Sequence, residues 1–183
     1  MRIEKLAKVY RIKPKYVHFP LHPDTPPEGR TLLDLFGSGP DAIAAKNAQM
    51  KALMEAECLP YGTRTHTYNS RLAQELGVWA ETQSGGEAIH DALYKAYFVD
   101  NRNLHDVDVL LDIVQSVGLP RAEAEQVLTE RTYKDAVDAD WAKSRQYGVT
   151  GVPTFVAGQR GVVGAQPYEV IERLLVEAGI EKH

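Results

Sequence analysis

Cysteine is almost missing from this chain: Cys58 is the only one in 183 residues. One thiol excludes an internal disulfide framework and suits a reducing compartment, so the expected location is the cytoplasm. Long apolar runs are also lacking. Nothing approaches the ~20 consecutive apolar residues that a membrane-crossing helix needs. The opening Met1-Arg2-Ile3-Glu4-Lys5-Leu6 is amphipathic and unlike an export signal. No large excess of one charge exists: a net charge of −4 gives no reason to expect nucleic acid or a membrane as partner. What is present, at 44% hydrophobic and 25% charged residues, is the composition of a soluble globular domain. The length suits one domain, or a core that carries an insertion.

Periodicity divides the chain into three stretches. Ile3, Leu6, Ala7 and Tyr10 fall at helical spacing with no Ser, Thr, Asp or Asn before them to cap, so the chain starts as if inside a helix. Lys15-Tyr16-Val17-His18-Phe19 is β-branched and aromatic behind Pro14, and predicts a strand. Pro20, Pro23, Pro26, Pro27 and Gly29 make the next stretch an extended loop. From about residue 40 to 133 the pattern is helical throughout. Pro40 stands at a first helical position, Asn69 is a cap, Gly118 is a stop, and Pro120 opens another helix. Their apolar faces need one another, which predicts a packed helical insertion over 40–133 between 1–39 and 134–183. The last stretch returns to mixed structure. A helix over Ala136–Tyr147 ends at Gly148, strands follow at 153–157 and 161–163, and Pro167 opens a final helix stopped by Gly179.

The most informative run is Gly148-Val149-Thr150-Gly151-Val152-Pro153-Thr154-Phe155-Val156, followed by Gly164-Ala165-Gln166-Pro167. A proline that opens a strand loses no ladder bond and is a favoured place for a cis peptide. Val-Pro before a strand is by itself compatible with a plain edge strand. The order of helix, glycine, Val-Pro, strand, glycine turn, strand and helix is more specific, and it resembles the cis-proline loop of thioredoxin-fold proteins. Within these the chain is similar to the FrnE-like branch of the DsbA family. His18-Phe19-Pro20-Leu21-His22-Pro23-Asp24, Asn69-Ser70-Arg71-Leu72-Ala73 and Ala92-Leu93-Tyr94-Lys95-Ala96-Tyr97-Phe98 carry the likeness across most of the length.

The resemblance implies an α/β thioredoxin-like fold with an all-helical insertion, its first strand missing. It implies disulfide oxidoreductase chemistry, with Thr150, Gly151, Val152 and Pro153 binding substrate and Val152 leaving its main-chain N–H and C=O free for an extended peptide. A thiol or disulfide peptide or glutathione is the implied partner. No cofactor is expected beyond glutathione, and a homodimer is a candidate assembly because an incomplete sheet leaves edges to cover. Family members open their first helix with Cys-x-x-Cys, and that motif has no counterpart here. Losing the strand before it would cost several kcal/mol of burial from a stability of only ~5–15 kcal/mol, so the expectation is an N-terminally truncated sequence with no catalytic residue of its own. Two alternatives stay open. One is a glutathione-dependent isomerase of the 2-hydroxychromene-2-carboxylate type, which uses serine in place of the first cysteine. The other is a non-catalytic peptide- or thiol-binding module.

Cys58 is expected at the far end of the helix that starts near Pro40, beside Glu55 and Glu57. A reactive cysteine wants a helix N-terminus or a basic neighbour, so Cys58 reads as a packing residue. His18, His22 and Asp24 lack the spacing and the further ligands of a metal site. Trp79 and Trp141 are expected in the core.

Overall fold

A computed structural model describes residues 2–183. In chain order the elements are α1 (Arg2–Ala7), β1 (Arg30–Thr31), α2 (Leu32–Phe36), α3 (Pro40–Ala56), β2 (His66–Thr67), α4 (Arg71–Ala80) and α5 (Ala88–Phe98). Then come α6 (Val107–Ser116), α7 (Arg121–Glu130), α8 (Lys134–Gln146), β3 (Thr154–Ala157), β4 (Arg160–Val163) and α9 (Tyr168–Glu177). Two compact units result: residues up to Leu21 together with Ala139–His183, and His22–Asp138. The divisions expected from composition stood at 39/40 and 133/134. Among the described residues no helix is long and apolar enough to cross a membrane.

The unit His22–Asp138 is built on helices whose apolar residues recur at three and four positions. Leu72, Leu76 and Trp79 of α4, Ile89 and Leu93 of α5, Leu110 and Val114 of α6 and Leu128 of α7 are all buried in one cluster. Each such side chain is worth ~1.5–3 kcal/mol of burial, which outweighs the modest helix propensity of the β-branched residues among them. Side-chain oxygens meet main-chain N–H groups at the start of two of these helices. The expected cap, Asn69, stands one residue before the cap position at Ser70, and its Oδ1 accepts from the Arg71 N–H at 2.9 Å. Asp106 Oδ1 accepts from the N–H groups of Asp108 and Val109 at the head of α6. Gly118, at φ 76°, turns the chain away after α6.

α3 behaves differently, since Ile43 is the one buried residue in its seventeen. Alanine, lysine, glutamine and methionine supply enough intrinsic propensity for the helix without a fully buried face. The strand pair β1–β2 was not foreseen, because two-residue strands carry no readable alternation. Arg30 pairs with Thr67, and Thr31 with His66, antiparallel. Gly29 makes the approach possible: a Cβ there would meet the Tyr68 ring at 2.5 Å, and its φ of 89° suits glycine.

The other unit has a smaller buried cluster of Leu6, Tyr10, Ala157, Ile171, Leu174 and Leu175. β3 and β4 form an antiparallel hairpin, in register from Thr154↔Val163 to Ala157↔Arg160, as the glycine turn predicted. α9 lies against both strands. Tyr10 makes a bridge with Lys182, and its hydroxyl donates to Glu172 at 2.8 Å. The strand expected at Lys15–Phe19 does not form. A strand needs a ladder, and among the described residues none runs beside this segment. The His18 N–H donates instead to the Asp140 carboxylate at 3.0 Å. Trp141 is only half-buried, against the expectation of a core position.

Candidate functional site

The loop before β3 is positioned at both ends by the main chain. α8 closes with the Gly148 N–H on the Arg145 carbonyl and the Val149 N–H on the Ser144 carbonyl, while Gly148 takes φ 65°. The Val152–Pro153 peptide bond is cis. The Thr154 hydroxyl donates back to the Gly151 carbonyl at 2.6 Å, and the Gly164 N–H donates to the Pro153 carbonyl at 2.7 Å. These bonds tie the loop to the hairpin that follows it.

Thr150, Gly151, Val152 and Pro153 therefore stand together, with Val152 49% exposed. Among the described residues the N–H and C=O of Val152 have no hydrogen-bond partner. Among the described residues β3 pairs only with β4, so its other edge carries unpaired main-chain groups. None of the four side chains ionises. The loop can offer main-chain bonds and shape, but no acid, base or nucleophile.

Sequence reasoning missed Arg2. Its guanidinium donates to the Ala165 and Gln166 carbonyls at 3.1 and 2.9 Å, and the Gln166 side chain donates to the Val163 carbonyl at 2.6 Å. The Gly164-Ala165-Gln166 loop is thus held from the first helix. A lone arginine on a short amphipathic helix gives no signal of such a distant carbonyl pair.

Cys58 is exposed, not packed, and takes φ 58° just beyond α3. The helix ends before it, so the apolar contacts assumed for it do not exist. No group of three or more His, Cys, Asp or Glu suited to a metal occurs among the described residues. His18 faces Asp140, with 3.7 Å between Nδ1 and the carboxylate, rather than joining His22 and Asp24.

A second constellation also escaped the sequence. Glu75 is fully buried, and its carboxylate accepts from Arg71 Nε at 2.6 Å and from Arg131 Nε and Nη2 at 2.6 and 2.7 Å. Arg71 also donates to Asp138 at 2.7 Å. Burial alone would raise the Glu75 pKa, but the hydrogen bonds from Arg131 and Arg71 outweigh it and hold the carboxyl below its ordinary value. Both carboxylate oxygens are engaged, so this is a clamp joining α4 to the residue after α7. Its signal was visible in principle: Glu75 lies on the same face as Leu72, Leu76 and Trp79, four residues after an arginine.

Comparison with known proteins decides the family, since the DSBA-like thioredoxin domain matches residues 1–176. The chain belongs to the DSBA-like thioredoxin domain family. A solved structure described as a probable DsbA oxidoreductase of Streptomyces coelicolor is 33% identical, with a TM-score of 0.75. That match covers 81% of this chain and 65% of the other. The uncharacterized protein YwbO of Bacillus subtilis is 29% identical over 111 residues, which is 60% of this chain and 55% of YwbO. A 2-hydroxychromene-2-carboxylate isomerase is 17% identical with a TM-score of 0.71, over 97% of this chain and 85% of its own, a likeness of fold alone. The matched region thus spans less than two thirds of the first two relatives. The DSBA-like fold here is helix-rich with few, short strands, in agreement with the α/β class expected.

Proposed function

We propose that this DSBA-like chain docks an extended thiol- or disulfide-bearing peptide for disulfide exchange. Thr150, Gly151, Val152 and Pro153 form the platform in this reading. The peptide adds as a strand against Val152, whose main-chain N–H and C=O have no partner among the described residues, and this pair is the observation that carries the proposal. Exchange requires a thiolate to attack one sulfur of a disulfide while the other leaves as a thiol. With Cys58 as its only cysteine, the chain contributes binding and orientation to that reaction, not a dithiol. The fold likeness to the isomerase keeps glutathione as the competing ligand on the same main-chain groups.

Amide chemical shifts of the 15N-labelled chain, titrated separately with an S-methylcysteine peptide and with glutathione, test the reading. Saturable shifts at Gly151, Val152 and Thr154 with the peptide support it. Shifts with glutathione alone transfer the loop to the isomerase-type reading. Peptide binding that leaves these amides unmoved ends it.

A further inference from the structure

A pocket of about 290 Å³ lies within the unit His22–Asp138 and has no part in the proline loop. Its size sits at the lower edge of the ~300–1,000 Å³ usual for small-molecule sites. Leu32, Ile43, Met50 and Leu53 provide apolar wall, and Lys46 and Arg64 are its charged members, with no carboxylate in the lining. Lys46 Nζ stands 4.2 Å from the centre of the Phe36 ring, and the Arg64 guanidinium 4.5 Å from that of Tyr97. Aromatic faces, not acids, therefore accompany both cations.

Arg64 is also incompletely satisfied. Its Nη2 donates to the Tyr97 hydroxyl and to the His66 carbonyl, but its Nε is buried with no partner among the described residues. The bonds from Nη2 fix the guanidinium in place, so its charge stays beside the pocket. The Asn47 side chain donates to the Arg64 carbonyl at 2.9 Å, tying the segment that carries Arg64 to the helix that carries Lys46. Met50 and Leu53 are 43% and 57% exposed, so the apolar wall opens to solvent.

We propose that this pocket binds a small organic carboxylate with an aliphatic or aryl body. The two cations attract the carboxylate, and no acid in the lining competes with it for them. The body covers Ile43, Met50 and Leu53. A neutral apolar molecule would leave the two cations without a counter-charge, and so would gain less.

Octanoate and 1-octanol are the probes, titrated at fixed ionic strength into the full chain carrying 13C-methyl methionine. The expected result is a saturable Met50 methyl shift with octanoate and at least ~10-fold weaker binding of octanol. Lys46→Glu and Leu53→Asp, both at exposed positions, should each weaken octanoate ~10-fold or more with an unchanged unfolding midpoint. Arg64→Lys should weaken it while keeping the charge. Equal binding of octanol overturns the proposal, because the groove is then merely apolar. So does a Met50 shift that follows protein concentration without ligand, because a second copy then covers the pocket. Undiminished octanoate binding in Lys46→Glu and Leu53→Asp likewise overturns it.

Discussion

The two units solve the problem of burial in opposite ways. His22–Asp138 buries a wide cluster drawn from α4, α5, α6 and α7, and locks it with the Glu75 clamp. The unit formed by the two chain ends has six buried apolar residues, a two-stranded hairpin and a β3 edge left unpaired. A helix satisfies its own main chain, so helical faces can close on one another completely. A strand satisfies its main chain only through a neighbour. The hairpin unit carries the main-chain groups suited to a peptide, while in the helical unit strand pairing is confined to the two-residue β1 and β2.

That contrast can be broken first at the cores. Leu76→Ala, at a fully buried position of α4, should cost about 4 kcal/mol in urea unfolding. Leu6→Ala, equally buried but in the smaller cluster, should cost about 2–3 kcal/mol and leave amide exchange in α4 and α6 untouched. Equal losses with shared exchange effects would show one cooperative core rather than two.

The clamp gives the next effect. Glu75→Ala should cost about 3 kcal/mol, toward the lower end for a broken buried ion pair, since Arg131 is 39% exposed and Arg71 keeps Asp138. The pH dependence follows from the direction of the shift. The folded Glu75 pKa lies below its ordinary value of 4.5, so the unfolded chain takes up the proton first as pH falls. Its stabilisation is whole above that value and is lost as pH drops through the folded pKa. Glu75→Gln should therefore flatten the acid limb of stability below about pH 4.5, and an unchanged limb would assign acid sensitivity elsewhere.

The smallest effect is expected at the surface of the hairpin unit. Arg160 pairs with Glu177 at 2.9 Å, with both side chains well exposed. Arg160→Ala should change the unfolding free energy by less than ~0.5 kcal/mol, and a larger loss would make the hairpin more dependent on α9 than its packing implies.

Much of this was legible before any coordinates. The faces of α4 to α7, the Gly118 stop and the β3–β4 hairpin all follow from local rules that act within a few residues. The proline loop was legible in the same way, because helix, glycine, X-Pro and strand are local signals in a fixed order. Lys15–Phe19 was misread for the complementary reason. Its side chains favour extension, but only a neighbouring chain can make a ladder, and Asp140 took the His18 N–H instead. Cys58 was read as a packing residue because the helix was expected to reach it, but it is exposed beyond α3.

The residues alone determined where most helices begin, which faces turn inward, and that the Pro153 loop precedes a hairpin. Those outcomes rest on periodicity, capping and backbone preference, all short-range. Tertiary structure alone decided that Arg131 closes on Glu75 across 56 residues, that Arg2 holds the Ala165 and Gln166 carbonyls, and that Lys46 and Arg64 share one apolar pocket. Hydrogen bonds and charge pairs depend on atoms a few ångströms apart, and sequence separation does not report that distance.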